Sequence, residues 1–163
     1  MKRNFASIVA ILCLCAIVCG CSKGPKKPAD LPKLNPTTVT VTYDDGTPVD
    51  GATVAFLASQ TGGRTWNLTA VTDAAGKITL KTDGNWDGAP AGEYRVIVTK
   101  EVAEVEEPTE VGGSITTKSI TRFVDQKYNL PTTSGLTATI EDGKTNTFEF
   151  KVGEKIEENV KAL

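Results

Sequence analysis

The strongest constraint on the fold is the strict alternation of apolar and polar residues in short runs. In residues 38–43 this alternation places Val39, Val41 and Tyr43 on one side. Residues 93–100 repeat the pattern with an even clearer apolar side. Successive side chains of a strand point to opposite faces of a sheet, so each run predicts a β-strand with one buried face.

Further strands are predicted where similar runs are bounded by turn residues, at 52–58, 64–71, 77–82, 136–140 and 145–152. The turns before residues 52–58 and 145–152 contain Asp-Gly pairs, which favour hairpins. We therefore expect 38–43 to pair with 52–58, and 136–140 with 145–152. In 64–71 the alternation of Trp66 with Leu68 predicts that both side chains point inward. About seven strands with regular turns predict an all-β fold, a seven-stranded Greek-key β-sandwich of immunoglobulin-like type.

Two segments do not show the strand pattern. The region between residues 101 and 131 begins with a run of glutamates and predicts a long exposed loop, either simply solvated or recruiting a cation or a basic partner. In the tail after Gly153, Ile156 and Val160 recur at a spacing of four, which predicts a short helix.

The amino-terminal segment predicts export. Lys2 and Arg3 precede an apolar stretch, residues 8–18, that is short for a membrane span, so residues 1–20 are predicted to be a signal peptide. The stretch ends in Val18-Cys19-Gly20-Cys21, which resembles the lipobox of bacterial lipoproteins. A short membrane anchor or an ordinary secretory signal are the alternatives.

The lipobox resemblance implies that a diacylglyceryl group is attached to Cys21 and that cleavage leaves Cys21 first. The protein would then be held by its acyl chains in the cell membrane or the outer membrane, and Ser22 resembles the outer-membrane sorting pattern. Residues 21–36, rich in proline and lysine, predict an extended tether from that anchor. The sandwich is expected at 37–151 and a tail, helical in part, at 152–163.

Three motifs carry a second resemblance. They are Gly46-Thr-Pro-Val-Asp-Gly-Ala-Thr-Val-Ala-Phe, Val71-Thr-Asp-Ala-Ala-Gly-Lys-Ile-Thr-Leu and Gly88-Ala-Pro-Ala-Gly-Glu-Tyr-Arg-Val-Ile-Val. Together they resemble carboxypeptidase regulatory-like domains, which are transthyretin-like β-sandwiches. The resemblance implies that fold over roughly residues 37–151. It implies no chemistry, because the matching residues are turn glycines and core positions.

A candidate calcium loop begins at Asp83, where Asp83, Asn85 and Asp87 supply alternate oxygen side chains. The match fails at its twelfth position, where a bidentate glutamate is needed and Tyr94 stands. A polar turn without a metal is the other interpretation. Apart from this calcium candidate, no cofactor is predicted.

A candidate sugar-stacking platform is Trp86, which lies in a turn and is expected to be exposed. This gives an alternative function, an accessory carbohydrate-binding module that uses Trp86. The competing interpretation is that both tryptophans only fill the core or cover an edge.

Enzyme chemistry is not expected. The chain has no His. Of its four Cys, three are lost with the predicted signal and Cys21 is expected to carry lipid, so the usual catalytic bases, nucleophiles and zinc ligands are missing. With 18 basic and 20 acidic residues, there is no basic field to attract nucleic acid. The sequence therefore predicts a non-catalytic lipoprotein that presents a sandwich at the cell envelope for binding a protein or glycan, or for assembly.

Overall fold

The computed structural model describes residues 25–59, 64–106 and 116–161. The chain divides into two compact units, residues 1–31 and 32–163. In the first unit, the described residues form a turn closed by a hydrogen bond from the Leu31 N–H to the Pro28 carbonyl oxygen, 3.2 Å. Among the described residues of the whole chain, no helix is long and apolar enough to cross a membrane.

The regular secondary structure in the described part of the second unit is almost entirely β-strand, with one short 3-10 helix at Gln126–Asn129. In chain order the strands are β1 (Leu34–Asn35), β2 (Thr37–Thr42), β3 (Thr53–Ala58), β4 (Thr69–Val71), β5 (Lys77–Thr79), β6 (Lys81–Thr82), β7 (Trp86–Asp87), β8 (Ala89–Pro90), β9 (Gly92–Thr99), β10 (Glu101–Glu106), β11 (Thr116–Arg122), β12 (Leu136–Ile140), β13 (Asn146–Lys151) and β14 (Glu158–Lys161).

Seven of these strands build the two layers of a sandwich. One layer is antiparallel, in the order β12-β9-β3-β4, and the other has the order β13-β2-β5. In the second layer, β13 runs parallel to β2 while β5 runs antiparallel to it. The predicted all-β sandwich is therefore confirmed.

The core lies between the two layers, and the alternating residues fill it as predicted. Val39 and Val41 from one layer and Val96 and Val98 from the other are fully buried. Phe56 lies at the centre of an aromatic group, with ring centroids 5.9–6.2 Å from its neighbours, which are Tyr94, Phe148 and Phe150. Each fully buried aliphatic or aromatic side chain stabilises the fold by about 1.5–3 kcal/mol relative to its exposed state.

The two predicted hairpins are wrong. β2 does not pair with β3, because the chain crosses from one layer to the other between them. The chain crosses in the same way between β12 and β13. Asp-Gly turn chemistry reverses the chain in both arrangements, so it cannot distinguish a hairpin from a connection between layers. Burial favours the connection between layers over the hairpin, because each crossing lets the apolar faces of consecutive strands pack against each other.

The acidic segment also differs from the prediction of a long exposed loop. Its described residues include β10, β11 and the 3-10 helix, and part of the tail, predicted to be helical, forms β14 instead. These strands make an antiparallel sheet of order β10-β11-β14, called the ribbon below. The tail is extended because β11 offers it a ladder from Ser119 to Arg122, whereas a helix of so few residues would fray.

Sheet structure is also found outside residues 37–151, the range predicted for the sandwich. β1 lies within residues 21–36 and β14 within residues 152–163, and both belong to the second unit. The predicted division into signal peptide, tether, sandwich and tail stays a prediction from the sequence.

Candidate functional site

The predicted lipid attachment site lies outside the described residues. This holds for the modified residue, Cys21, and for the preceding Val18, Cys19 and Gly20. Lipidation stays a prediction from the sequence.

The start of the sandwich is fixed by Asn35, which is only 1% exposed. Its Nδ2 donates to the Ala89 carbonyl oxygen at 3.4 Å, and its Oδ1 accepts from the Gly143 N–H at 2.7 Å. Gly88 lies against it so closely that an added Cβ would be 2.7 Å from the Asn35 carbonyl oxygen. The amide therefore binds the incoming chain to strand β8 and to the turn at Asp142-Gly143.

The candidate calcium ligands Asp83, Asn85 and Asp87 make hydrogen bonds and ion pairs with neighbouring protein groups. Asp83 adopts a left-handed conformation with φ of 50°. Its Oδ1 accepts from the Asn67 N–H at 2.8 Å, and its Oδ2 lies 3.9 Å from the Arg64 guanidinium. Asn85 donates its Nδ2 to the Asp83 carbonyl oxygen at 2.7 Å, and Asp87 pairs with a lysine on β6 at 3.2 Å.

These contacts are those of a polar turn, in which the carboxylates have amide and cationic partners. In the described ranges, no group of three or more His, Cys, Asp or Glu side chains is placed to hold a metal ion. The calcium site at Asp83, Asn85 and Asp87 stays a prediction from the sequence.

Trp86 is less exposed than the sequence predicts, and Trp66 is less buried. Trp86 lies on β7 opposite Thr82 and is half-buried. Trp66 was expected to point inward, but it is also half-buried, while Leu68 alone enters the core. The Arg64 guanidinium carbon lies 4.1 Å from the centroid of the Trp66 ring, which is cation–π distance.

Trp66 lines an open depression of about 430 Å³ between the end of β3 and the segment that leads into β4. Its lining is Phe56, Leu57, Ala58, Thr65, Trp66, Asn67, Leu68 and Thr69. Sequence reasoning missed this feature because it treated Trp66 as a regular strand residue. The signal present in the sequence was the Arg64-Thr-Trp66 spacing just outside a strand.

A second, smaller hollow of about 260 Å³ lies at the edge formed by β12. Its lining includes Glu93, Thr137 and Thr139 together with the buried Tyr94.

The shifted pKa values have structural causes. Burial raises the pKa of Tyr94, and burial together with the charge of Asp45 raises that of Tyr43. The Tyr43 hydroxyl donates to the Phe123 carbonyl oxygen at 3.0 Å. Hydrogen bonds from Thr47 lower the pKa of Asp45, whose carboxylate stabilises the turn by accepting from the Thr47 N–H. None of these three residues lines the Trp66 depression.

Two acidic residues of β10, Glu101 and Glu104, have polar partners in the ribbon and the 3-10 helix. Glu101 accepts from Arg122 Nε at 2.9 Å and from an asparagine of the 3-10 helix at 3.1 Å. Glu104 accepts from the Ser119 hydroxyl at 3.1 Å and lies 3.6 Å from Lys118 Nζ. These two glutamates therefore stabilise the ribbon itself, which the prediction of an acidic loop did not anticipate.

No protein-family model and no curated protein matches the chain. Solved structures that match the chain include the major pilin subunit of Bacillus cereus, 17% identical with a TM-score of 0.41, a match that covers 77% of this chain and 30% of that one. A second is a candidate adhesin from Bacteroides ovatus, 16% identical with a TM-score of 0.39, a match that covers 81% of this chain and 49% of that one. A third is a 9R-lipoxygenase from Cyanothece, 17% identical with a TM-score of 0.36, a match that covers 79% of this chain and 17% of that one. The chain spans less than half of each of them. Likenesses of this size, to proteins of such different kinds, assign neither family nor function.

Proposed function

We propose that this protein is a non-catalytic, exported lipoprotein, anchored by acyl chains on Cys21, that presents its β-sandwich at the cell envelope for protein binding or assembly. The order of segments supports the proposal. A basic and apolar leader precedes a thiol, and a segment rich in proline and lysine connects that thiol to the sandwich. Two or three acyl chains would make the attachment durable, because each buried methylene contributes about 0.8 kcal/mol.

The observation that carries the proposal is the join at Asn35. A domain presented on a tether needs a firm connection where the flexible chain ends. Asn35 supplies one through its bonds to Ala89 and Gly143, and the ion pair between Lys33 and Asp142, at 3.0 Å, lies next to it. Load applied through the tether would therefore reach the body of the sandwich at a bonded, buried residue.

The proposed binding role is supported by the presence of open sheet edges. In the described part of the chain, the outer strands β4, β10 and β12 each pair on one side only. Such edges can accept an added strand from a partner. This is the chemistry by which a small sandwich would join an assembly.

A second candidate function, carbohydrate binding, is favoured by one observation. The Trp66 indole and the Leu57 side chain both line the depression beside β3. The sequence suggested Trp86 for this role, whereas the geometry favours Trp66.

Metabolic labelling with radioactive palmitate tests the anchoring. The wild-type chain should take up label and fractionate with membranes, and Cys21→Ala should lose both properties. Cys19→Ala is the matched control and should keep them. Equal labelling of Cys21→Ala and wild type would remove the basis of the proposal.

Cross-linking in intact cells tests the presentation role. Full-length chain carrying a photoreactive residue at an exposed edge position, such as Val71 on β4, should give a discrete adduct. Absence of any adduct from edge positions on β4, β10 and β12 alike would contradict assembly through strand edges.

A further inference from the structure

We propose that β12 is a self-association edge, at which a second copy of this chain adds its own β12 in antiparallel orientation. The two layers of order β12-β9-β3-β4 would then form one continuous sheet. The inference deepens the proposed function and rests on it, because it names the partner of one of the open edges. It is carried by the outward backbone groups of β12, by its lack of charged residues and by the symmetry of its sequence.

The outward backbone groups of β12 belong to Thr137 and Thr139. In an antiparallel ladder the N–H and C=O of one residue point to the same neighbour, and successive residues alternate between the two sides. The Ser59 N–H donates to the Glu93 carbonyl oxygen at 2.9 Å, so the backbone groups of Glu93 face the β3 side. Thr139 is opposite Glu93 and Thr137 is opposite Arg95. Both threonines therefore turn their N–H and C=O away from β9, toward the edge.

β12 lacks the features that usually protect an open edge from pairing, which are charges, prolines and bulges. The β10 edge carries glutamates and an irregular register with β11. The outer strands β5, β13 and β14 each contain lysine, and the uncharged β4 has only three residues. Among the outer strands of the described layers and ribbon, β12 is thus the longest without charge, and its ladder with β9 is regular.

The sequence of β12 is nearly symmetric about Ala138. A two-fold axis at this residue would place Thr137 opposite Thr139 of the second copy, with each such pair exchanging two N–H···O=C bonds. Threonine pairs across strands are favourable. On the core side, Leu136 would lie opposite Ile140 of the second copy and Ala138 opposite its own counterpart. This arrangement brings polar side chains against polar ones and apolar side chains against apolar ones.

The neighbouring charges on β9 are compatible with this pairing. On the exposed face Glu93 lies beside Thr139, and two residues later Arg95 occupies the same face. A row of side chains across the two-fold axis would therefore begin with Glu93 of one copy and end with Arg95 of the other. No like charges would face each other, and anchoring in a membrane would raise the effective concentration of the two copies.

Native mass spectrometry of the full-length chain in mild detergent tests the proposal. The wild-type chain should form a dimer whose share falls on dilution. Thr137→Lys combined with Thr139→Lys puts like charges opposite each other in both pairs and should lower the association constant by about tenfold or more. Thr137→Lys combined with Thr139→Glu puts opposite charges there and should restore the dimer. Thr69→Lys combined with Val71→Lys, on the β4 edge, is the matched control and should dimerise like wild type.

Hydrogen exchange locates the contact independently. The amides of Thr137 and Thr139 should exchange more slowly at high protein concentration, because each would then donate to the second copy, whereas the amides of β4 should not change. Melting temperatures by circular dichroism identify any variant that fails to fold. The substituted side chains on β12 are exposed, and hydrogen exchange on the wild-type chain keeps the test decisive if a variant unfolds.

The proposal is overturned if the wild-type chain is monomeric at its highest soluble concentration, or if the variant with two lysines on β12 dimerises like wild type. It is also overturned if the folded lysine–glutamate variant stays monomeric. These outcomes are distinct from failure of the proposed function. A monomeric chain can still take up palmitate at Cys21 and give adducts from β4 or β10, and loss of labelling leaves dimerisation through β12 unchanged.

Discussion

The sandwich and the ribbon contain similar strands that are stabilised in different ways. On β9, Val98 is completely buried, whereas on β10, four residues later, Val102 is 57% exposed. Both strands are six to eight residues long and rich in valine. Equal strand propensity therefore accompanies unequal burial, and propensity alone does not measure what a strand contributes to stability.

Polar contacts across strands take the place of a core in the ribbon. Glu101 on β10 pairs with Arg122 on β11, which lies 3.9 Å from Glu158 on β14. Asn159 donates to the hydroxyls of Ser119 and Thr121. Contacts of this kind contribute tenths of a kcal/mol each, while buried apolar side chains contribute about 1.5–3 kcal/mol each. The ribbon should therefore open before the sandwich does.

The largest effect is expected from Phe56→Ala, which empties the centre of the aromatic group. It should lower the free energy of unfolding by about 3–5 kcal/mol, because the cavity between Tyr94 and Phe150 cannot close completely. Urea unfolding followed by circular dichroism measures the change. Phe56→Leu should cost clearly less, and an equal loss for both variants would mean that the aromatic contacts matter more than the filled volume.

A matched truncation compares the two regions directly. Val98→Ala should lower the free energy of unfolding by about 2 kcal/mol, since it removes buried methyl groups and leaves a cavity. Val102→Ala makes the same chemical change on the ribbon and should stay within about 0.5 kcal/mol of wild type. Similar losses for the two variants in urea unfolding would contradict the difference in burial.

Alkaline pH should weaken the sandwich and its junction with the ribbon. Tyr43 and Tyr94 have pKa values raised above the ordinary 10.0, so the folded state holds their protons more tightly than the unfolded state. Their contribution is complete below pH 10 and is lost as the pH rises above it. Melting temperature against pH should fall less steeply there in Tyr43→Phe, which also loses one hydrogen bond, about 1 kcal/mol. An unchanged slope would show that Tyr43 does not contribute to the alkaline loss.

The smallest effect is expected from Glu101→Gln in the ribbon. Loss of the ion pair with Arg122 should cost about 0.5–1 kcal/mol at low salt and less at high salt. Hydrogen exchange of the β11 and β14 amides should accelerate while β9 amides stay protected. Glu158→Gln, whose contact is longer and more exposed, should have a smaller effect on the same amides.

The sequence predicted which strands are buried because burial follows local alternation. Val39 and Val41 on β2, and Val96 and Val98 on β9, occupy the core as the pattern indicated. The pairing of strands could not be predicted in this way. The turn at Asp142-Gly143 has the residues of a hairpin, yet the Gly143 N–H bonds to Asn35, 108 residues earlier. The local spacing of apolar and turn residues carries no information about a partner so distant in the sequence.

The candidate site was predicted less well than the fold, for a related reason. Trp66 alternates with Leu68, so the pattern placed both in the core, but the segment before Thr69 is not a strand and the rule of alternation does not hold there. The tail shows the same limit. Ile156 and Val160 have helical spacing, but β11 provides a hydrogen-bonding partner that the tail sequence does not specify.

The parallel pairing of β2 with β13 has a consequence for the order of events after synthesis. β2 pairs on one side with β5, but its other neighbour lies in residues 146–151, so that layer cannot be completed until nearly the whole domain is available. Such distant pairing slows folding, because the entropy cost of closing a large loop comes before the stabilising contacts form. A chain that must cross a membrane unfolded would benefit from this delay, since it could be threaded through as a linear polymer and become compact only on the far side.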